Sequence, residues 1–317
     1  MQPLTHGYIM TEKREKMTTE TSQDTLDFAA YGMRKETQSQ TRMVFRQLLR
    51  NKGAIAGAII LMILIAIAIL APHIRPHDPV EIGIDRPLLP PNSTYLMGTD
   101  NFGRDVLSRV LSGTHISLEI GIITNCVALA FGLPLGLLSG YFGKKLDSLV
   151  VGMMDIMLAF PGILLAMAIV VVIGKGLFQT MLAIGISWVP AYTRLVRGTV
   201  ISVKENVYVE AARTIGCSTS RILRRHVLPN IMAPLIVLLT LDIGWAILTG
   251  AALSFLGLGA QRPTPEWGMM VNEGREFMRI AWWITLFPGL AIMVTVLSMN
   301  LLGDGLRDAL DPKMKID

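Results

Sequence analysis

The chain has 317 residues, of which 51% are hydrophobic and only 17% are charged. Because soluble domains carry about 25% charged residues, this composition argues against an ordinary soluble enzyme and indicates a membrane protein. The net charge of +5 would also suit a nucleic-acid-binding protein, but the lysines and arginines flank long apolar runs, where such residues report membrane orientation. No nucleic-acid partner is therefore predicted.

Residues 1–41 are rich in Thr, Ser, Gln, Glu and Lys and show no sustained apolar period, which is typical of a flexible tail. The first apolar run begins only near Ala54, after a long charged segment, so no signal peptide is predicted. The tail is expected to extend over 1–53.

Six apolar runs approach the roughly 20 residues that cross the hydrocarbon core of a bilayer. They predict an all-α integral membrane protein with an extracytoplasmic segment over 72–115, a core of five spans over 116–303 and a C-terminal tail over 304–317. The six predicted spans are 54–71, ended by Pro72, then 116–139, 148–173, 177–196, 231–257 and 281–303.

The basic residues are distributed unevenly between the connections. With six spans, 21 of the 29 Lys and Arg residues fall on the side that holds both termini, the loop 140–147 and the stretch 194–228. Cytoplasmic loops carry an excess of Lys and Arg. The sequence therefore predicts that both termini and 194–228 are cytoplasmic.

Small residues and prolines inside the spans favour a packed helical bundle. Gly132, Gly136 and Gly140 repeat every four residues and form a face that lets two helices approach closely. Prolines inside spans are tolerated where neighbouring helices satisfy the freed carbonyl groups, and broken helices of this kind are common in transporters. The prolines are Pro134, Pro161, Pro190, Pro234 and Pro288.

The sequence contains no pattern of an ATPase or a protease. The segments GYFGKK at 140–145 and GKG at 174–176 lack the spacing and hydroxyl residue of a phosphate-binding loop, and neither H-E-x-x-H nor G-x-S-x-G occurs. His73 and His77 are separated by Pro76, which breaks the helix that would align them on a metal. We predict no catalytic residue and no metal site.

One polar stretch, EAARTIGCSTSRILRRHVLP at 210–229, interrupts two apolar runs. Tyr208, Ala211, Ala212 and Ile215 are spaced i, i+3, i+4 and i+7, which predicts a short helix with a thin apolar face. Gly216 suits the end of that helix, where a positive φ is needed. The stretch thus resembles a helix–turn–helix with a docking face.

The second half of this stretch predicts another short helix. Ile222, Leu223 and His226 can share one of its faces, while three arginines at 221, 224 and 225 remain for lipid headgroups or acidic partners. Pro229 fits the first turn of the next span. The alternative interpretation is an ordinary basic loop that anchors helix ends at the membrane surface.

Several motifs together resemble the permease subunits of ABC importers, specifically the C-type permeases of the dipeptide, oligopeptide and nickel family. The stretch matches the family pattern E-A-A-x3-G-x9-I-x-L-P except where His226 replaces isoleucine, and Val227 is expected to supply the apolar contact. The matching positions are Glu210, Ala211, Ala212, Gly216, Leu228 and Pro229. Further matches, covering about 43–315 in all, are MGTDNFGRDVLSRVLSG (97–113), LAFPGILLA (158–166), LSFLGLGAQRPTPEWGMM (253–270) and NLLGDGLRDALDPK (300–313).

The resemblance implies a type I ABC importer permease fold in the inner membrane of a prokaryote. The loop 198–228 then contains a coupling helix that docks on one of two separate ATPase subunits. These subunits bind ATP and Mg²⁺, and this chain binds no cofactor. A related second permease completes a heterodimer, and an extracytoplasmic binding protein delivers peptide. The coupling residues implied are Tyr208, Glu210, Ala211, Ala212, Ile215, Gly216, His226, Leu228 and Pro229.

Other residues could serve the pathway or the receptor. Asp155 and Asp242 lie inside spans, where a carboxylate could meet a peptide amino terminus or could instead be a paired helix contact. Glu266 and Trp267 could touch the receptor, and Trp267 with two other tryptophans, Trp282 and Trp283, suits an interfacial belt. The outer segment GTDNFGRD (98–105) is expected to form a turn held by its own charged side chains.

The leading hypothesis is an ABC importer permease for di- or oligopeptides that is not itself an enzyme. Within the same class, a nickel chelate or glutathione is the alternative cargo. The alternative from a different class is a stand-alone secondary transporter or channel, in which 194–228 only anchors helices.

Overall fold

The computed structural model describes residues 40–310, and this part of the chain is helical, with one isolated antiparallel bridge between Thr99 and Asp105. The α-helices are α1 (Gln40–Leu48), α2 (Lys52–Ile74), α3 (Val106–Phe142), α4 (Lys144–Leu158), α5 (Gly162–Ile173), α6 (Leu177–Lys204), α7 (Val207–Thr214), α8 (Thr219–Ile222), α9 (Leu228–Phe255), α10 (Trp267–Gly274) and α11 (Trp283–Leu310). A π-helical turn, Leu223–Val227, joins α8 to α9, and a 3₁₀ turn, Arg275–Phe277, follows α10.

The chain divides into two compact units, Met1–Gln47 and Leu48–Asp317, and the helix bundle belongs to the second. The predicted tail over 1–53 is helical over Gln40–Leu48 and again from Lys52, and residues 1–39 lie outside the described residues. The predicted C-terminal tail over 304–317 is corrected as well, because α11 continues to Leu310.

Within residues 40–310, four continuous helical segments are long and apolar enough to cross a membrane: Lys52–Ile74, Val106–Phe142, Thr219–Phe255 and Trp283–Leu310. The pair α4 and α5 would make a fifth span. The helix α6 is also long, with 28 residues, but it is more polar than these segments.

The helix boundaries differ from the predicted spans at several points. The helix α2 passes through Pro72 and ends two residues later, at Ile74. The helix α3 begins at Val106, so the predicted outer segment 72–115 is helical over its last ten residues. Asp105 caps this helix by accepting from the Ser108 amide at 3.1 Å.

The run 148–173, predicted as one span, consists of two helices bent by 91°. The break lies at Ala159, Phe160 and Pro161, immediately before α5. Proline lacks an amide hydrogen and disfavours helical conformation in the residue before it, which explains why the helix ends here instead of only kinking.

The predicted glycine face is confirmed. A side chain on Gly132, Gly136 or Gly140 of α3 would collide with Tyr192, Val196 or Val200 of α6, respectively. The two helices therefore approach at backbone distance, which is how small residues drive helix association in membranes. Because both series rise in steps of four in the same order, α3 and α6 run parallel.

Candidate functional site

The helix α7 ends in a hydrogen-bonded glycine cap. Gly216 has a φ of +83°, and its amide donates to the Arg213 carbonyl at 3.0 Å, while the Cys217 amide donates to the Ala212 carbonyl at 3.0 Å. This pair of bonds is the Schellman motif, which usually requires glycine at the left-handed position. The predicted role of Gly216 as the helix terminator is confirmed.

The two faces of α7 have opposite environments. Val209 and Ala212 are buried, whereas Val207 is 81%, Tyr208 43% and Ile215 79% exposed. Ala211 is exposed on the same side as Tyr208 and Ile215. The predicted stripe is therefore corrected at one position, because Ala212 faces the interior and the exposed stripe consists of Tyr208, Ala211 and Ile215.

A π-helical turn sets the register of the segment after α8. The Leu228 amide donates to the carbonyl of Leu223, five residues earlier, so the turn holds one residue more than an α-helical turn. Val227 is consequently fully buried, while His226 is half-buried with its ring centroid 6.3 Å from that of Tyr208. Val227 thus supplies the apolar contact expected beside His226.

The remaining predicted coupling residues are Glu210, Leu228 and Pro229. Glu210 and Pro229 are exposed, Leu228 is half-buried, and Pro229 lies in the first turn of α9. Tyr208, Ala211 and Ile215 are exposed as well, so most of the predicted coupling residues are accessible.

The exposed stripe of Tyr208, Ala211 and Ile215, called the docking surface below, lies over a continuous apolar base. Val209 and Ala212 of α7 and Ile222 and Val227 of the following turns form one buried cluster with the end of α6. The residues that α6 contributes are Tyr192, Val196, Val200 and Val203. Because protein interiors are close-packed and resist deformation, this cluster holds α7 firmly against α6 and the start of α9.

Asp242 of α9 lies in a polar group inside the bundle. It is half-buried and near the Tyr192 hydroxyl, which donates to Asn125 Oδ1 at 2.5 Å. Asn125 Nδ2 donates in turn to the Gly121 carbonyl at 2.8 Å. Three helices, α3, α6 and α9, therefore share this polar group, and Asn125 makes a hydrogen bond between α3 and α6.

Asp155 has a different environment from Asp242. Its carboxylate pairs with Arg194 at 2.9 Å, and the two side chains are 56% and 63% exposed, respectively. The structure thus favours the ion-paired helix contact for Asp155. A second α4–α6 pair, Asp147 with Arg197, was not predicted, since residues about 50 positions apart leave no local pattern.

The segment 98–105 forms the expected charged turn. Asp100 accepts from the amides of Phe102 and Arg104 at 2.8 and 3.0 Å, and Arg104 Nε donates to Asp100 Oδ2 at 2.6 Å. Arg104 also reaches Glu273 of α10 at 2.7 Å, and Arg109 reaches the same carboxylate oxygen at 3.3 Å. The roles of Arg109 and Glu273 were missed, because they depend on contacts across more than 160 residues.

Glu266 and Trp267 are both buried, so the prediction that they contact a receptor is wrong for this conformation. The Glu266 carboxylate caps α10 by accepting from the Gly268 and Met269 amides at 2.8 Å each. Burial raises the pKa of Glu266, and the two amides partly oppose this. Trp267 Nε1 donates to the Val110 carbonyl at 3.0 Å, so it packs internally instead of facing a membrane interface.

Trp282, Trp283 and His77 lie in different environments. Trp283 is buried and donates to the Thr99 carbonyl at 3.0 Å, whereas Trp282 is 49% exposed and stays compatible with an interfacial position. His77 lies 3.3 Å from Asp105. Within residues 40–310, no group of three His, Cys, Asp or Glu side chains is arranged to hold a metal ion.

Two family descriptions match the chain over most of its length. Residues 132–316 match the family described as binding-protein-dependent transport system inner membrane component, and residues 39–91 match the N-terminal transmembrane domain of oligopeptide transport permease C.

Full-length relatives are similar to this chain. A dipeptide transport system permease protein of Alkalihalophilus pseudofirmus is 49% identical over 277 residues, covering 87% of this chain and 91% of that protein. A di/tripeptide transport system permease protein of Pseudomonas aeruginosa is 47% identical over 84% of this chain and 89% of that protein. A glutathione transport system permease protein of Pectobacterium atrosepticum is 45% identical over 89% of this chain and 94% of that protein.

A solved structure of the MetNI methionine ABC transporter in inward-facing conformations shares the fold. It matches with a TM-score of 0.53 at 19% identity, over 65% of this chain and 97% of that chain. Permeases of ABC importers work with ATP-binding subunits, which bind the ATP and Mg²⁺, and with a binding protein, so they are transport subunits and not enzymes. The matches and the fold together show that this chain belongs to the family of binding-protein-dependent transport inner-membrane components, the permease subunits of ABC importers.

Proposed function

We propose that this chain carries di- or oligopeptides across the cytoplasmic membrane, driven by ATPases that dock on the exposed face of α7. The observation that carries the docking proposal is the pairing of exposed Tyr208, Ala211 and Ile215 with a buried base beneath them. Family membership removes the alternative of a stand-alone secondary transporter or channel.

The helix directions support six spans with both termini on one side. Because α3 and α6 run parallel, the chain between them must return across the bundle, and α4 with α5 is that return. Ile120 of α3 lies against Gly250 of α9, and the start of α9 packs with the end of α6, so α9 is antiparallel to both. Gly57 of α2 abuts Ser298 of α11, and Gly305 abuts Ala54, which makes these two helices antiparallel.

The proposed assembly follows from one docking surface per chain. ABC ATPases act as pairs, so a second, homologous permease is needed to present the second surface, and this chain would be the C-type member of a heterodimer. The excess of basic residues supports a cytoplasmic position for both termini and α7, and the extracytoplasmic binding protein would then act on the other side of the inner membrane.

The buried base suggests how ATP drives transport. When two ATPases close, they would carry the α7 helices of the two permeases towards each other. Each α7 is packed onto α6 and α9 through Val209, Ala212 and Val227, so these spans would move with it. The pathway would thereby turn from the cytoplasmic to the outer side.

Asp242 is the proposed pathway residue. It lies one helical turn before Trp245, which is 58% exposed, so the two side chains share a face of α9. A carboxylate beside an exposed aromatic ring could hold a peptide amino terminus, since ionisable groups inside membranes usually serve function. Asn125 and Tyr192 would fix its position.

Charge reversal at Glu210 and a proline at Gly216 test the docking proposal. Glu210→Lys changes an exposed side chain of α7, and Gly216→Pro is incompatible with a φ of +83°. Both should insert normally but lose ATP-driven peptide uptake in proteoliposomes, by at least about tenfold for a loss of 1.4 kcal/mol. Glu205→Lys is the matched control, because Glu205 is exposed but outside α7. Normal uptake in both variants would contradict the proposal.

The cargo is tested separately with the loaded binding protein. The glutathione permeases are nearly as similar as the peptide permeases, so both cargoes, and nickel chelates, belong in one uptake assay. Peptide uptake that excess glutathione and nickel do not inhibit would support the peptide assignment. Saturable uptake of glutathione alone would replace it.

A further inference from the structure

Three arginines next to α9 are exposed and unused within the described bundle. Arg221, Arg224 and Arg225 all lie on the surface, and none forms an ion pair with another residue of 40–310. By contrast, Arg194 and Arg197, at the neighbouring end of α6, are both paired with aspartates of α4. The exposed trio is therefore available to an anionic partner.

The arginines lie on the faces of their turn that the bundle leaves open. Ile222 and Val227 of the same turn are buried in the base of the docking surface. His226 occupies the side next to α7 through its contact with Tyr208. His226, and not the arginines, therefore makes the aromatic contact with the stripe, which leaves the guanidinium groups open to a different partner.

The arginines immediately precede an apolar helix. Arg225 is three residues before Leu228, where α9 begins, or about 4.5 Å along a helix axis. Thr219–Phe255 is long and apolar enough to cross a membrane, and arginines at the end of such a helix are typical of the membrane–water interface.

A second basic turn lies at the same end of the bundle. Lys144 and Lys145 are exposed, and Phe142 beside them is 51% exposed. Lys204, at the end of α6, donates to the Gly140 carbonyl at 2.8 Å. This bond places the turn close to the start of 207–229, called the coupling segment below. Basic side chains around exposed apolar groups are the pattern of a surface in contact with anionic lipid.

We propose that Arg221, Arg224 and Arg225 bind the headgroups of anionic phospholipids and so hold the coupling segment at the membrane surface. Guanidinium groups donate bidentate hydrogen bonds to phosphate, and the trio has no carboxylate paired with it. The bound lipid would fix the π-helical turn Leu223–Val227, through which α7 is joined to α9. This inference rests on the proposed membrane placement but not on the cargo.

The test uses the complete transporter, with its ATPases, in nanodiscs of phosphatidylcholine with increasing fractions of phosphatidylglycerol. Native mass spectrometry counts the phosphatidylglycerol molecules retained per complex, and ATP hydrolysis is measured in parallel. The variant R221Q/R224Q/R225Q is compared with R86Q/R279Q, which removes two exposed arginines outside the coupling segment. Single variants at 221, 224 and 225 keep the test informative if the triple variant does not assemble.

The proposal predicts that the half-saturating phosphatidylglycerol fraction rises about fivefold in each single variant, that the triple variant no longer reaches saturation, and that R86Q/R279Q leaves the fraction unchanged. Equal lipid retention and equal lipid response in wild type and triple variant would overturn it. Loss of the ATPase from the triple variant in detergent, with an unchanged lipid response in the single variants, would also overturn it and assign the arginines to an acidic ATPase surface.

Discussion

Charged side chains are buried at one end of the helix bundle and exposed at the other. Arg104, Arg109 and Glu273 are almost fully buried and share hydrogen bonds, and they clamp the segment before α3 to α10. Around α7, Glu210 and the nearby arginines are exposed. The end with the buried cluster is stabilised by its own ion pairs. The end around α7 leaves polar and apolar side chains exposed, so that a partner protein can contact them.

The largest effect is expected from Glu273→Ala. Removing this carboxylate leaves Asp100 to face both buried guanidinium groups, of Arg104 and Arg109, and breaking a buried pair costs about 3–5 kcal/mol. Thermal unfolding of the purified chain in detergent should show a much lower Tm. Arg262→Gln is the control, because Arg262 also contacts Glu273 but is 59% exposed, and its loss should cost about 1 kcal/mol or less. Equal Tm losses in the two variants would contradict the claim that buried ion pairs stabilise this end of the bundle.

Gly216→Ala should have a smaller effect that is confined to the coupling segment. A side chain in the left-handed region costs about 1–2 kcal/mol, so α7 should lose its cap and couple ATP hydrolysis to uptake less tightly. Gly198→Ala is the matched control, since Gly198 is helical and a methyl group there meets open space. The ratio of ATP hydrolysed to peptide transported should rise only in Gly216→Ala, and an unchanged ratio would argue against a role of the cap in coupling.

Asp242→Asn is expected to change transport without changing stability. Asparagine keeps the size and hydrogen-bonding capacity of the side chain next to Tyr192 but removes the charge, so the KM for peptides should rise by about tenfold, or 1.4 kcal/mol. Asp155→Asn, at an exposed ion pair, should leave the KM unaltered. Unchanged uptake kinetics with a lower Tm in Asp242→Asn would assign the residue to helix packing.

Local patterns predicted local features correctly. The glycine repeat of α3, the Gly216 cap and the position of Pro229 each depend on residues within a few turns. Spacing and residue type were therefore sufficient to predict them from the sequence. The motifs also identified the family, because several of them occur in order along the chain.

Features that depend on distant contacts could not be predicted. The spacing of α7 identifies an apolar stripe but does not say which of its edges touches α6, so the inward position of Ala212 was missed. The contact of Glu273 with two arginines more than 160 residues away leaves no trace in either local segment. For the same reason Glu266 and Trp267 were expected at the surface, although α10 is packed among α3, α9 and α11.

The central claim is that the exposed stripe of α7 holds the ATPase, and Ile215→Glu tests it most directly. Ile215 is 79% exposed, so the substitution should leave the Tm unchanged within about 0.5 kcal/mol of stability. At the centre of an interface it should cost about 2 kcal/mol or more. Titration of the purified ATPase onto the permease heterodimer should therefore give a Kd raised by at least about 30-fold, while Ile82→Glu, at a position 66% exposed outside the coupling segment, leaves the Kd unaltered. An unchanged Kd for Ile215→Glu would contradict the account.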